Sequence, residues 1–168
     1  MICPKCHQPV QVKLGGCCPL CGFALAGYMQ HLQKVYAVNF AFFASTLVYS
    51  GLVYFLETRE VLHPSAVPVQ LPYVFLVVAV LLLGLARRVG RPLEQLPTMP
   101  GVLSWFITRL ALVEAVAVFG LLAFFLTVKL YWFVTFLALS WVGFLIVGSQ
   151  MPRVAQRLAE LAVEEERK

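Results

Sequence analysis

The sequence contains no aspartate, and only 12% of its 168 residues are charged. Water-soluble domains carry about 25% charged residues and about 45–50% apolar ones, whereas 61% of this chain is hydrophobic. A water-soluble core of this size cannot absorb that excess, so the composition predicts that a lipid bilayer surrounds most of the chain. The net charge of +5 is therefore read as information on membrane orientation, and no nucleic-acid partner is expected.

Catalytic motifs are also lacking. The sequence has no nucleotide-binding loop and no nucleophile elbow, and His31 and His63 stand alone near the ends of apolar segments. We therefore expect no enzyme activity. The opening residues lack the basic start, short apolar run and small-residue cleavage site of a signal peptide, so we expect a mature N-terminus in the cytosol.

Four apolar segments are long enough to cross a membrane, which takes about 20 helical residues. They are residues 35–56, 67–86, 102–128 and 130–148. Pro68 and Pro72 fall in the first turns of the second segment, where proline is tolerated, and only Lys129 separates the third segment from the fourth. The predicted fold is an all-α membrane protein with four transmembrane helices arranged as two hairpins, together with a small N-terminal zinc ribbon.

Basic residues are distributed unevenly between the segments, and lysine and arginine are enriched on the cytoplasmic side of membrane proteins. One side has Lys5, Lys13, Lys34, Arg87, Arg88, Arg91, Arg153, Arg157, Arg167 and Lys168, and the other has Arg59 and Lys129. We therefore expect both termini in the cytoplasm, along with the loop that carries Arg87, Arg88, Arg91 and Pro92. The expected location is the inner (cell) membrane of a bacterium.

Composition divides the chain into four predicted parts. Residues 1–22 form the zinc ribbon, 23–34 an interfacial linker, 35–150 the transmembrane domain and 151–168 a cytosolic amphipathic helical tail. Val154, Leu158 and Leu161 share one face of the tail at helical spacing. Two interpretations of this face are open: it docks on a partner subunit or on the membrane surface, or the tail is a solvated extension of the fourth span.

Four of the five cysteines form two Cys-x-x-Cys pairs, Cys3 with Cys6 and Cys18 with Cys21. Each pair can form a tight turn that directs two thiolates toward one tetrahedral centre, as in closed structural zinc sites. The segment resembles the short zinc-ribbon modules at the ends of many bacterial proteins, and this resemblance implies one structural Zn²⁺. Cys17 is left over, and we expect it to be a packed free thiol.

A second interpretation of the first pair is haem attachment, because Cys3, Cys6 and His7 match the Cys-x-x-Cys-His sequence of c-type cytochromes. Haem attachment requires this segment to lie outside the cytoplasm, whereas the distribution of basic residues places it inside. It also leaves the second pair unexplained. A disulfide framework is disfavoured because the cytosol is reducing.

The third span contains two charged residues, Arg109 and Glu114. With a rise of 1.5 Å per residue, Glu114 lies about 18 Å from the start of the span and Arg109 about 10 Å. An ionised group at that depth costs at least about 2.5–3.5 kcal/mol, so Glu114 should face protein, water or a partner charge. Arg109 can extend toward the cytoplasmic interface. The two residues lie on different sides of the helix, so a direct pair is not expected.

Residues 110–122, with the sequence LALVEAVAVFGLL, resemble the second helix of the proteolipid c subunit of rotary ATP synthases. The preceding residues 86–92, ARRVGRP, resemble the polar loop of that family. The resemblance implies that Glu114 is the ion-exchanging carboxylate and that Arg91 and Pro92 belong to the loop. The glycine repeat of the family's first helix has no counterpart here, because Gly84 is the one glycine of the second span.

A structural role for Glu114 is the alternative, as a neutral carboxylic acid that hydrogen-bonds to polar side chains of neighbouring helices. The candidate partners are Asn39, Ser45, Ser50, Thr135 and Ser140.

Three hypotheses of function follow from these features. The first is a non-enzymatic membrane subunit or adaptor with a structural zinc knuckle, associated with the bilayer and with other membrane subunits or copies of itself. The second is a proteolipid-like subunit that translocates protons or cations through Glu114, with Arg109 nearby. The third is an electron-transfer subunit with haem on Cys3 and Cys6.

Overall fold

The computed structural model describes residues 3, 5–6, 8, 17–22, 25–59, 68, 70–88 and 93–166. Within these residues the regular structure is helical and contains no strand. The long helices are α1 (Leu25–Thr58), α2 (Leu71–Arg88), α3 (Met99–Thr127), α4 (Leu130–Gly148) and α5 (Met151–Glu166), with a short 3₁₀ turn at Leu93–Gln95 between α2 and α3. Four helices are long and apolar enough to cross a membrane. The predicted all-α, four-span fold is confirmed, and the chain is a multi-pass membrane protein.

The chain forms two compact units. The cysteine unit comprises residues 1–38, 90–106 and 150–168, and the membrane unit comprises residues 39–89 and 107–149. The parts of α1 to α4 that belong to the membrane unit are each about 20 residues long, which corresponds to roughly 30 Å of helix. The membrane unit therefore contains four helical segments of the length that a bilayer requires.

Among the described residues of the membrane unit, α3 and α4 take part in two apolar clusters. In the first, Ala79 of α2 packs with Val116 of α3 and Phe136 of α4. In the second, Val53 of α1 packs with Phe124 of α3 and Phe133 of α4. Among the described residues, neither cluster combines side chains of α1 and α2. The α3–α4 hairpin therefore supplies the shared packing surface, and α1 and α2 each add to it.

Two glycines allow the helices of this hairpin to approach closely. A Cβ atom added to Gly120 of α3 would lie 2.6 Å from the Cβ atom of Phe136. A Cβ atom added to Gly143 of α4 would lie 2.8 Å from Leu83 of α2 and from Val113 of α3. Small residues at helix contacts are the usual means of tight packing in membranes, and here they lie in α3 and α4.

The predicted limits of the first three spans differ at both ends from those of α1, α2 and α3, whereas those of the fourth span agree with α4. α1 begins at Leu25, so it runs without a break through residues assigned to the interfacial linker. α2 begins at Leu71, after Pro68 and with Pro72 in its first turn. α3 ends at Thr127 because Val128 has a φ of 53°, which lies in the left-handed region that a β-branched residue seldom adopts. Val128 and Lys129 together make the tight turn into α4.

Candidate metal centre

The two cysteine pairs form two turns, which we call the cysteine knuckle (Cys3 to Gly22). The backbone N–H of Cys3 donates to the carbonyl of Gln8 over 3.0 Å and closes the first turn. The N–H of Gly22 donates to the carbonyl of Cys18 over 2.9 Å and closes the second. Gly22 has a φ of 72°, which glycine adopts without a steric penalty. The residue that follows the second pair is therefore suited to the conformation that the turn needs.

The four sulfur atoms of Cys3, Cys6, Cys18 and Cys21 all lie within 4.8 Å of one another. The Sγ atoms of Cys3 and Cys21 are 3.7 Å apart, and those of Cys6 and Cys18 are 3.8 Å apart. A tetrahedral ion with four sulfur ligands at about 2.3 Å has edges of about 3.8 Å. The cluster thus has the dimensions of a site that can hold one metal ion.

The burial of the cluster indicates a closed site. Cys3 and Cys18 are 0% and 2% exposed, respectively, and Cys6 and Cys21 are partly buried. Catalytic zinc sites keep one coordination position open, whereas structural sites use four protein ligands. A set of four cysteine sulfurs that is largely closed to solvent fits the structural class.

Backbone amides favour the thiolate form of Cys18, whereas the pKa of Cys6 is raised despite a hydrogen bond with the backbone of Gln8, because burial opposes its ionisation. Burial of Cys18 opposes ionisation, but hydrogen bonds from the backbone of Leu20 and Cys21 lower the pKa of Cys18 to about 7. Donors that point at a charged sulfur stabilise it relative to the neutral thiol. The second turn therefore both positions this sulfur and prepares it for coordination.

The knuckle packs against residues that are far away in sequence. Ala162 of α5 is buried with Cys3 and Cys18, and Tyr28, Met99 and Val163 are partly buried against the same cluster. Sequence patterns did not identify these contacts. The sequence indicates one side of this packing, the apolar face of the tail, but it does not indicate the residues that this face contacts.

The prediction that Cys17 is a packed thiol is wrong, because Cys17 is exposed. It also lies outside the group of four sulfurs. The two-residue spacing to Cys21 directs the side chain of Cys18 into the cluster, and the adjacent residue of a turn points elsewhere. His7, the third residue of the haem motif, lies outside the described residues.

The face of α5 that was assigned to a partner, to the membrane surface or to solvent is covered by the chain itself. Val154, Leu158 and Leu161 are 0%, 1% and 5% exposed. Arg157 of α5 donates through Nη2 to the carbonyl of Leu96 over 3.0 Å. The tail is thus a packed part of the cysteine unit, because its apolar stripe finds a partner within the same chain.

Glu114, in α3, is half-buried and accepts a hydrogen bond through Oε1 from the hydroxyl of Tyr49 in α1, over 3.0 Å. Tyr49 is not among the partners predicted for Glu114. Of those, Ser45, Ser50 and Thr135 donate to carbonyls of their own helices, and Ser140 of α4 donates to the carbonyl of Val113 in α3. The carboxyl group of Glu114 therefore links α1 to α3.

Arg109 is 7% exposed, and its Nη2 donates to the carbonyl of Arg87 over 3.2 Å. Arg87 lies in the last turn of α2, where backbone carbonyls have no partner within the helix. Arg109 thus caps α2 from α3, at the end of α2 that carries Arg87 and Arg88, and its extension toward the cytoplasmic interface stays a prediction. A guanidinium group also complements the negative end of the helix dipole.

The predicted loop residues are only partly described. Arg87 and Arg88 end α2 and are exposed, whereas Arg91 and Pro92 lie outside the described residues. A Cβ atom added to Gly84 would meet no other atom within 4 Å, so Gly84 does not mediate close helix packing in the part of the chain that the structure describes.

In comparisons with known proteins, no family model, no curated protein and no solved structure matches this chain.

Proposed function

We propose that this protein is a non-enzymatic membrane subunit or adaptor whose cysteine knuckle holds one structural zinc ion. The observation that carries the proposal is the set of sulfur distances. Separations of 3.7 and 3.8 Å between Cys3 and Cys21 and between Cys6 and Cys18 equal, within about 0.1 Å, the edge of a zinc–sulfur tetrahedron.

A single ion explains the arrangement better than haem attachment does. Each cysteine of the first pair has its sulfur beside a cysteine of the second pair, so all four thiols converge on one point. Haem attachment uses two thiols and gives the second pair no role. Tetrahedral sites of four sulfurs hold zinc or iron, and zinc is the usual ion of a closed structural site.

The subunit or adaptor role is supported by the large apolar surfaces that α1 and α2 leave unpacked. In the most apolar window of α1 11% of residues are buried, and in that of α2 17%, against 39% for α3. Lipid or the helices of other membrane subunits must cover these surfaces. The positive-inside distribution of Lys and Arg supports cytoplasmic termini in a bacterial inner membrane.

The test is metal analysis, visible absorption and native mass on one sample of the protein purified in mild detergent. We expect one zinc per chain, no absorption band in the visible range, and a mass above that of the single chain. A haem or iron–sulfur absorption band would reject the zinc assignment. A lone monomer with zinc would keep the knuckle and reject the subunit role.

Proton or cation translocation is the second candidate, and the location of a carboxyl group in α3 favours it. Glu114 lies in a membrane-spanning helix and is half-buried beside Tyr49. Ionisable residues inside membranes are candidates for ion pathways by default, and the likeness of residues 110–122 to a proteolipid helix supports the same role.

For this candidate, Glu114→Gln is expected to abolish proton uptake by reconstituted vesicles while the fold is retained. Glutamine keeps an oxygen that can accept the Tyr49 hydrogen bond, and such bonds contribute only about 0.6 kcal/mol in membranes. Tyr49→Phe is the control for the hydrogen bond itself, because it removes that bond and leaves the carboxyl group in place. Equal proton flux in Glu114→Gln and the unaltered protein would eliminate translocation and leave the link between α1 and α3 as the role of Glu114.

A further inference from the structure

The helix α5 has one apolar stripe and one polar surface. Val154, Leu158, Leu161 and Ala162 are buried, whereas Arg153, Gln156 and Glu160 on the other side are exposed. A stripe of this width stabilises a helix only when it is covered. In this protein the chain itself buries the stripe, and Ala162 packs on the cysteine cluster.

Different contacts hold the two halves of α5. Arg157, near the middle, donates to the carbonyl of Leu96 and forms a 3.1 Å salt bridge with Glu160. The following turn is held by Ala162 and Val163, which pack on the cysteines of the knuckle. The first half is thus attached to the segment before α3, and the second half to the knuckle.

The second half of α5 ends in acidic residues. It has no basic residue in its last turn, while Glu164 and Glu165 are located there and are exposed. Negative charge at a helix C-terminus opposes the helix dipole. Packing of Ala162 and Val163 on the knuckle therefore offsets this unfavourable charge and helps to stabilise residues 159–165 as a helix.

The described part of the knuckle that provides this packing contains few buried residues. Among the described residues, the buried members of its cluster are Cys3 and Cys18, joined by Ala162. Small domains built in this way are commonly unfolded without metal, because metal binding supplies their folding free energy. Removal of the ion is thus expected to remove the surface on which the second half of α5 packs.

We propose that the metal of the knuckle keeps the C-terminal half of α5 packed in place, and we call this role the latch. This inference rests on the proposed metal site. With the ion bound, Ala162 and Val163 are held and residues 159–165 are helical. Loss of the ion releases this half and exposes Leu161 and Ala162, while Arg157 keeps the first half attached. The metal thereby controls whether part of an apolar stripe is accessible.

The experiment is amide hydrogen exchange on the full-length protein in detergent, before and after removal of the metal by a chelator, with metal content measured on each sample. We expect exchange in residues 159–165 to be at least about tenfold faster after removal, because local opening sets the exchange rate. Residues 130–148 of α4 and 151–157 of α5 should change little. Val163→Ser should accelerate the same segment with the metal still bound, because it weakens the packing directly.

The outcomes separate the latch from the metal site. One result would overturn the latch and leave the metal site in place: the protein binds one metal ion per chain, but the exchange rate of residues 159–165 does not change when the ion is removed. Equal acceleration of α4 and of both halves of α5 would also overturn it, because the ion would then support the whole fold. Failure of the protein to bind zinc at all would reject the proposed function and the latch together.

Discussion

Replacing Cys18 with serine is expected to weaken zinc binding strongly, whereas the same change at the adjacent Cys17 should leave the affinity for one zinc per chain unchanged. Cys18 is 2% exposed, its sulfur lies 3.8 Å from that of Cys6, and backbone amides stabilise its thiolate. Cys17 is exposed and lies outside the group of four sulfurs. Serine is isosteric with cysteine but a poor zinc ligand, and the loss of one of four thiolates should weaken binding by about a hundredfold or more.

The measurement is a competition titration of each detergent-solubilised variant against a chromophoric chelator of known zinc affinity. Cys17→Ser is an unusually close control, because the two substitutions are chemically the same and one position apart. Retention of full affinity in Cys18→Ser together with its loss in Cys17→Ser would contradict the structure and make Cys17 the fourth ligand. Equal losses in both would indicate that serine disturbs the turn irrespective of coordination.

The cysteine cluster was predictable because its geometry is local. Two residues between paired cysteines form a turn that brings their sulfurs together, and this holds in any surrounding fold. The packing surface of the knuckle was not predictable from the sequence, because Tyr28, Met99 and Ala162 come from three distant segments. A fold must first bring those segments together, and no periodicity within one segment reports such contacts.

The limits of a span were predictable where the apolar run and the helix end at the same residue. α4 runs from Leu130 to Gly148, as expected, because the turn at Lys129 and the end of the apolar run mark both limits. α1 begins ten residues before its apolar run, at Leu25. Hydropathy reports which residues suit lipid, whereas helix formation continues through polar residues such as Gln30 and Lys34.

The partner of Glu114 was missed for a related reason. Serine and threonine in helices hydrogen-bond to carbonyls of their own helix, as Ser45 and Ser50 do here. Tyr49, which donates to Glu114, lies within the apolar run of the first span and is not among the predicted partners. Which side chain meets Glu114 depends on the rotation of α1 relative to α3, and that rotation is set by packing and not by the sequence of either helix.

Gly120→Ala is expected to destabilise the membrane unit by about 1–3 kcal/mol, the usual range for an overpacked core. The new Cβ atom would lie 2.6 Å from the Cβ atom of Phe136 and 3.4 Å from the carbonyl oxygen of Phe133. Because the nearest atom is a Cβ, no rotation of the Phe136 side chain can relieve the contact. The axes of α3 and α4 would have to move apart, which would loosen the cluster that includes Val116 and Phe136.

Gly84→Ala is the matched control, since Gly84 also lies inside a membrane-spanning helix but has open space around its Cβ position. Alanine is the better helix former by about 1 kcal/mol, so this variant should be as stable as the unaltered protein or more so. The measurement is the thermal unfolding midpoint in detergent, followed by the fluorescence of the three tryptophans. The combination of Gly120→Ala with Phe136→Leu should not restore stability, because leucine retains the Cβ atom. Recovery in that double variant would mean that the ring, and not the distance between the two backbones, limits the packing of α3 against α4.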